Sequence, residues 1–174
     1  MKKIYTYFLI GFLTFQSSQL DVHAHTATST TSTTQKVATK TANTTNRIAN
    51  ISTKSMIRSD IVDYALQFKG SPYVWGGTSL TKGVDCSGFT QSVFKDHGIY
   101  IPRTSRTQAT SGKSISVKNI QPGDLVFYAT KGKIDHVALY IGKGKVIHAS
   151  TPKTGVRITN LYYRKPYKVV DYIR

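Results

Sequence analysis

Gly142-Lys143-Gly144 separates two apolar-rich runs, 134–141 and 145–150, and this arrangement is a β-hairpin signal. A three-residue loop sets Ala138 opposite His148. His136, two residues along the strand, then lies diagonally beside His148 on the same face. Val137, Leu139, Ile141, Ile147 and Ala149 gather on the other, core face. A two-residue loop would split the histidines and mix the two sets, so the pattern favours the longer register. Further strands are expected at 124–130, 156–159 and 168–173.

Ahead of the strands the period is helical. Ser59 reads as an N-cap with Asp60 and Asp63 in the first turn, and Ile61, Val62, Ala65, Leu66 and Phe68 follow until Gly70 stops the run. A second helix is expected to open near Cys86, with Phe89, Val93 and Phe94 on one stripe and Gly98 beyond its end. Helices first and strands later indicate an α+β domain, not a βαβ alternation.

The first 24 residues have the form of an export signal peptide: Lys2 and Lys3, the apolar run 8–15, then the small-residue site Val22-His23-Ala24. That run is far short of a membrane-spanning helix, so no stable membrane anchor is expected after cleavage, and the mature protein is expected to be secreted or wall-associated. Residues 25–57 read as a Thr/Ser-rich disordered linker. Between Thr26 and Met56 there are eleven Thr and four Ser, with no acid and no aromatic, too little to bury against the cost in chain entropy. Residues 58–174 are then the folded domain.

Lys and Arg number 24 against 8 acids, a formal charge of +16 with a pI near 10.0. Such a chain is drawn to anionic polymers, including those of a cell wall. Nucleic acid fits poorly, because the bases are dispersed, no recognised motif appears and the leader directs the chain to export. Every acid is Asp, and without Glu the HExxH metallopeptidases are excluded. A single cysteine excludes a disulfide framework and Cys-rich zinc modules, and no metal or cofactor is expected.

That cysteine carries the functional reading. At a helix N-terminus, unpaired N–H groups and the positive dipole end favour a thiolate, and the same groups can hold an oxyanion. A thiolate nucleophile needs a base. His97 lies ~16 Å along the Cys86 helix, at 1.5 Å per residue, and cannot reach. His136 and His148 remain.

Six motifs in order are similar to those of the NlpC family of bacterial cell-wall cysteine endopeptidases. They are Pro72-Tyr73-Val74-Trp75-Gly76-Gly77, Asp85-Cys86-Ser87-Gly88-Phe89, Pro102-Arg103-Thr104-Ser105, Gln121-Pro122-Gly123-Asp124-Leu125-Val126-Phe127, the run from His136 to Gly142, and His148-Ala149-Ser150. The resemblance implies a circularly permuted papain-like fold, with N-terminal helices packed on a small antiparallel sheet. It also implies hydrolysis of peptidoglycan stem peptides between D-isoglutamate and the diamino acid.

Residue by residue, the resemblance makes Cys86 the nucleophile, His136 the general base and His148 the group that orients it. Tyr73, Asp85 and Ser87 match positions that line the pocket and hold the stem peptide. Asp85 could instead cap the Cys86 helix. Arg103 reads as loop structure, Trp75 as core, and Asp135 points away from the histidine face. A cysteine amidase or acyltransferase of the same fold, or an exported wall-directed toxin, would share the chemistry and differ in target.

Overall fold

The computed structural model describes residues 31–173, with residues 31–43 and Thr45 described in backbone only. The expected signal peptide lies outside the described residues. Contacts divide the chain into units 1–39 and 40–174. The opening turns of the first helix fall in the first unit, and every other element belongs to the second.

Helix α1 spans Thr31–Leu66. This corrects two expectations. Residues 31–57 are helical and not a disordered linker, and Ser59 is not a cap: it sits exposed in mid-helix with its hydroxyl donating to Asp63 at 3.4 Å. Neither Gly nor Pro occurs between 31 and 66, so nothing stops a helix once the apolar turns near Ile61 nucleate it. Poverty of apolar residues does keep residues 46–53 exposed. α1 is held to the domain at its far end, by buried Ile61 and Ala65 and by ion pairs. Arg58 donates through Nη1 to Asp124 (2.8 Å) and through Nη2 to Asp171 (2.8 Å), and Lys54 also reaches Asp171 (2.9 Å).

A small two-stranded ladder, β1 (Thr78–Ser79) with β2 (Gly83–Val84), precedes helix α2 (Cys86–Asp96). Helix α3 (Ser105–Ser111) leads into β3 (Lys113–Ile115). Strands β4 (Leu125–Thr130), β5 (Lys133–Gly142), β6 (Lys145–Thr151), β7 (Gly155–Asn160) and β8 (Lys168–Asp171) follow. They form one antiparallel sheet in the order β3-β8-β4-β5-β6-β7, giving the expected α+β arrangement of helices on a small antiparallel sheet.

The core lies between the helices and one sheet face. Phe89, Val93 and Phe94 of α2 meet Leu125, Phe127, Val137, Leu139, Ile147 and Ala149. On the opposite face Val126, Tyr128, Ala138 and Val146 are covered by Leu161, and the Tyr128 hydroxyl donates to the Leu161 carbonyl at 2.8 Å.

The β5–β6 hairpin reaches the expected register by an unexpected route. Leu139 pairs with Ile147 and Tyr140 with Val146, which sets Ala138 against His148. Yet Gly142 pairs with Lys145, so the connection itself is two residues, Lys143-Gly144, both at positive φ as a type I′ turn requires. A bulge between Tyr140 and Gly142 restores the register.

Candidate active site

Cys86 is the first residue of α2, and Asp85 is its N-cap, accepting the Gly88 N–H at 2.7 Å. The same carboxylate accepts the Gly76 N–H (2.9 Å) and a two-pronged contact from Arg103, Nη1 at 2.9 Å and Nη2 at 2.7 Å. Arg103 Nη1 also donates to the Ser87 hydroxyl at 3.0 Å. Burial pushes the Asp85 carboxyl up, but Arg103 and the two N–H groups outweigh it and hold the group below the usual carboxylate range. Asp85 is therefore a permanently charged clamp that ties the 73–77 loop, the start of α2 and the 102–104 loop together.

Close backbone packing makes that junction possible. A side chain at Gly88 would run into the Gly77 carbonyl, and one at Gly77 into the Gly83 carbonyl. Buried Gln108 adds a second tie, donating to the Ser87 carbonyl (3.0 Å) and the Pro102 carbonyl (2.8 Å).

The thiol is less acidic than a helix N-terminus alone suggests. Burial pushes Cys86 up. The N–H groups of Val137, Ser87 and Cys86 itself pull down, the Asp85 charge pushes up again, and the net shift is upward. The Val137 contact also locates the sulfur, against the β5 backbone one residue from His136.

His136 and His148 meet as the hairpin register requires. Nε2 of His136 lies 2.6 Å from Nδ1 of His148, and Nε2 of His148 lies 3.2 Å from the Thr159 hydroxyl. One proton is shared across the short imidazole contact. If His136 donates it, His148 donates onward to Thr159, and Nδ1 of His136 is left as a free base. The reverse arrangement protonates that nitrogen and idles it.

Burial lowers His136 to about 4, helped by the Arg164 charge and opposed by Asp135. Burial, then the neighbouring His136 and Arg157, lowers His148 to about 3. Both rings rest neutral near pH 7. The Tyr163 ring packs 5.0 Å from that of His148 and shields it.

A β-bulge aims the base. Tyr128 pairs with His136 but Ala129 with Ile134, leaving Asp135 as the extra residue. Its carboxylate accepts from Thr130 (2.5 Å) and Arg164 (2.9 Å) and touches neither imidazole, so it is not the triad acid.

The thiol and His136 open on a cavity of about 750 Å³ lined also by Tyr73, Asp85, Ser87 and Ser150. Every site residue singled out in the sequence is therefore in or behind this cavity. His97 is not: it bonds the Val93 carbonyl at 2.8 Å at the far end of α2. Two readings change. Arg103 is the clamp on Asp85 and more than a loop residue, and Trp75, 87% exposed on the cavity rim, is not core. Thr159 was missed for a physical reason: plain alternation across the Pro152–Thr154 turn would put it on the opposite face, and the bulge between Ala149 and Thr151 shifts the register and brings it to the His148 face. Among the described residues no cluster of His, Cys or Asp could hold a metal ion.

The model of the NlpC/P60 family matches residues 70–173, which contain the whole of this site. The chain belongs to the NlpC/P60 family. It is 44% identical over 105 residues to a gamma-D-glutamyl-L-lysine dipeptidyl-peptidase of Bacillus cereus, covering 59% of this chain and 31% of that one. It is 39% identical over 126 residues to the murein DD-endopeptidase/LD-carboxypeptidase MepS of Escherichia coli, covering 70% and 64%. Among solved structures, the NlpC/p60 domain of the peptidoglycan hydrolase SagA superposes with a TM-score of 0.60 at 36% identity, over 66% of this chain and 97% of that one. This NlpC/P60 chain thus spans about a third of the Bacillus relative.

Proposed function

We propose that the chain is a peptidoglycan hydrolase that cleaves stem peptides between D-isoglutamate and the diamino acid through a thioester on Cys86. One observation carries the reading: a lone thiol at a helix start, beside a neutral His136 whose far nitrogen is held by a hydrogen-bonded relay. Because the resting pair is neutral, proton transfer accompanies attack instead of preceding it. Nδ1 of His136 takes the thiol proton as Sγ bonds to the γ-carbonyl carbon. The N–H groups of Cys86 and Ser87 stabilise the oxyanion. The C–N bond then breaks, the leaving amine receives the proton from His136, and water activated by the same ring releases the acyl group and restores the thiol.

Relatives named for γ-D-glutamyl-L-lysine bonds support the choice of bond. The MepS relative is named for other murein bonds, so the substrate must be read directly. Digestion of defined muropeptides followed by mass spectrometry tests this. New products ending in D-isoglutamate are expected from the protein and absent with Cys86→Ala, and cleavage only at D-Ala bonds would overturn the assignment.

Export belongs to the same reading. Residues 1–24 support a cleaved leader, and the basic chain suits an anionic wall. N-terminal sequencing of protein recovered from culture medium and from walls checks it; recovery only from the cytoplasm would overturn it.

A further inference from the structure

We propose that Arg106 is a specificity-determining residue that receives a carboxylate of the substrate and makes cleavage sensitive to its amidation. The inference rests on the peptidoglycan reading above. Three arginines line the catalytic cavity, Arg103, Arg106 and Arg164, against two acids, Asp85 and Asp135. Arg103 is bound to Asp85 at 2.7 Å and Arg164 to Asp135 at 2.9 Å. Arg106 has no carboxylate partner among the described residues, so the cavity holds one cation beyond balance.

One contact orients its exposed side chain: the Nε–H of Arg106 donates to the Ile134 carbonyl at 3.2 Å, which turns the guanidinium toward β5 two residues before His136. Neither Nη group has a hydrogen-bond partner among the described residues, and these are the prongs that grip a carboxylate in a planar, two-bond contact. A neutral amide offers one acceptor and no charge, and it fits this fork poorly. Stem peptides carry carboxylates on both sides of the scissile bond: the α-carboxylate of D-isoglutamate, and the side-chain carboxylate of a diaminopimelate leaving group. Amidation neutralises either one.

The test uses two matched peptide pairs. One pair carries isoglutamate or isoglutamine before lysine; the other carries free or amidated diaminopimelate after isoglutamate. The quantity read is the ratio of kcat/KM for the free over the amidated member, measured within one preparation, so that loss of folded protein cancels. The wild-type protein is expected to prefer the free acid in one pair by roughly tenfold, the order of a charge-assisted contact. Arg106→Gln is expected to bring that ratio near unity, and Arg106→Lys to keep part of it. The pair that responds identifies the carboxylate. Ratios near unity in both pairs for the wild type, or ratios unchanged by Arg106→Gln, would overturn the proposal. Failure of the wild type to cleave any peptide would overturn the underlying peptidoglycan reading instead.

Discussion

Three side chains in file behind the thiol, His136, His148 and Thr159, have graded roles that kinetics can separate. Of the two paired rings, His136 alone has a nitrogen left to face the sulfur, so His136→Ala should cost at least about a thousandfold in kcat, within the range lost when a paired base is removed. His148→Gln can still hold the Nε2 side of His136 and should cost about tenfold to a hundredfold. Thr159→Val should cost less again, with recovery in Thr159→Ser. Steady-state rates on one soluble muropeptide would check the order; equal losses at His148 and His136 would mean that the two roles are shared. The same residues predict an acid limit. Both imidazoles titrate below the free value of about 6.5, so the unfolded chain binds their protons first. Their neutral state stabilises the fold fully above about pH 6.5, and that contribution falls as pH drops toward 4, by up to about 1.4 kcal/mol per pH unit for each ring. Urea midpoints between those limits should fall steeply in the wild type and less steeply in His148→Gln.

At the scale of elements, the end of α1 is held by charge as much as by apolar contact. Arg58 is buried between Asp124 and Asp171. Burial pushes Asp124 up even though the Gln121 N–H and Arg58 pull it down, so the pair is not a large net gain. Breaking it is another matter, since Arg58→Ala leaves Asp124 buried without a cationic partner and Asp171 with Lys54 alone. A loss of about 3–5 kcal/mol is expected by chemical denaturation. Much of the remaining element structure was legible beforehand. The Cys86 helix, the five strands from 124 on and the histidine face all follow from period and turn residues. What was not legible has physical causes. Helix α1 was cut short because a Thr-rich composition argues about burial, and a helix can persist exposed when no Gly or Pro interrupts it. The Arg103–Asp85 contact joins residues 18 apart through a loop, which no local pattern encodes. The upward shift of Cys86 depends on how deeply the packed α2 start buries the thiol, and dipole reasoning alone misses that.

For the molecule as a whole, net charge and catalysis should be separable. The formal +16 acts over roughly a Debye length, about 10 Å at 0.1 M salt, whereas the relay works through direct contacts. Cys86→Ala protein should therefore sediment with purified walls at low salt and be released as salt is raised to about 0.5 M. Over the same range turnover of a small soluble muropeptide should change only modestly.

The extra residue in β5 has a genetic consequence. His136 owes its aim to chain length at position 135, because the bulge places one residue more on β5 than β4 can match. A missense change of Asp135 keeps that count and forfeits only the Thr130 and Arg164 contacts. An in-frame loss of the same codon keeps every strand partner available, yet it flattens the kink from which the imidazole departs. Codon deletions here should be far less tolerated than codon substitutions, and an insertion–deletion scan of residues 133–137 would show this as a narrow intolerant spot in an otherwise permissive hairpin end.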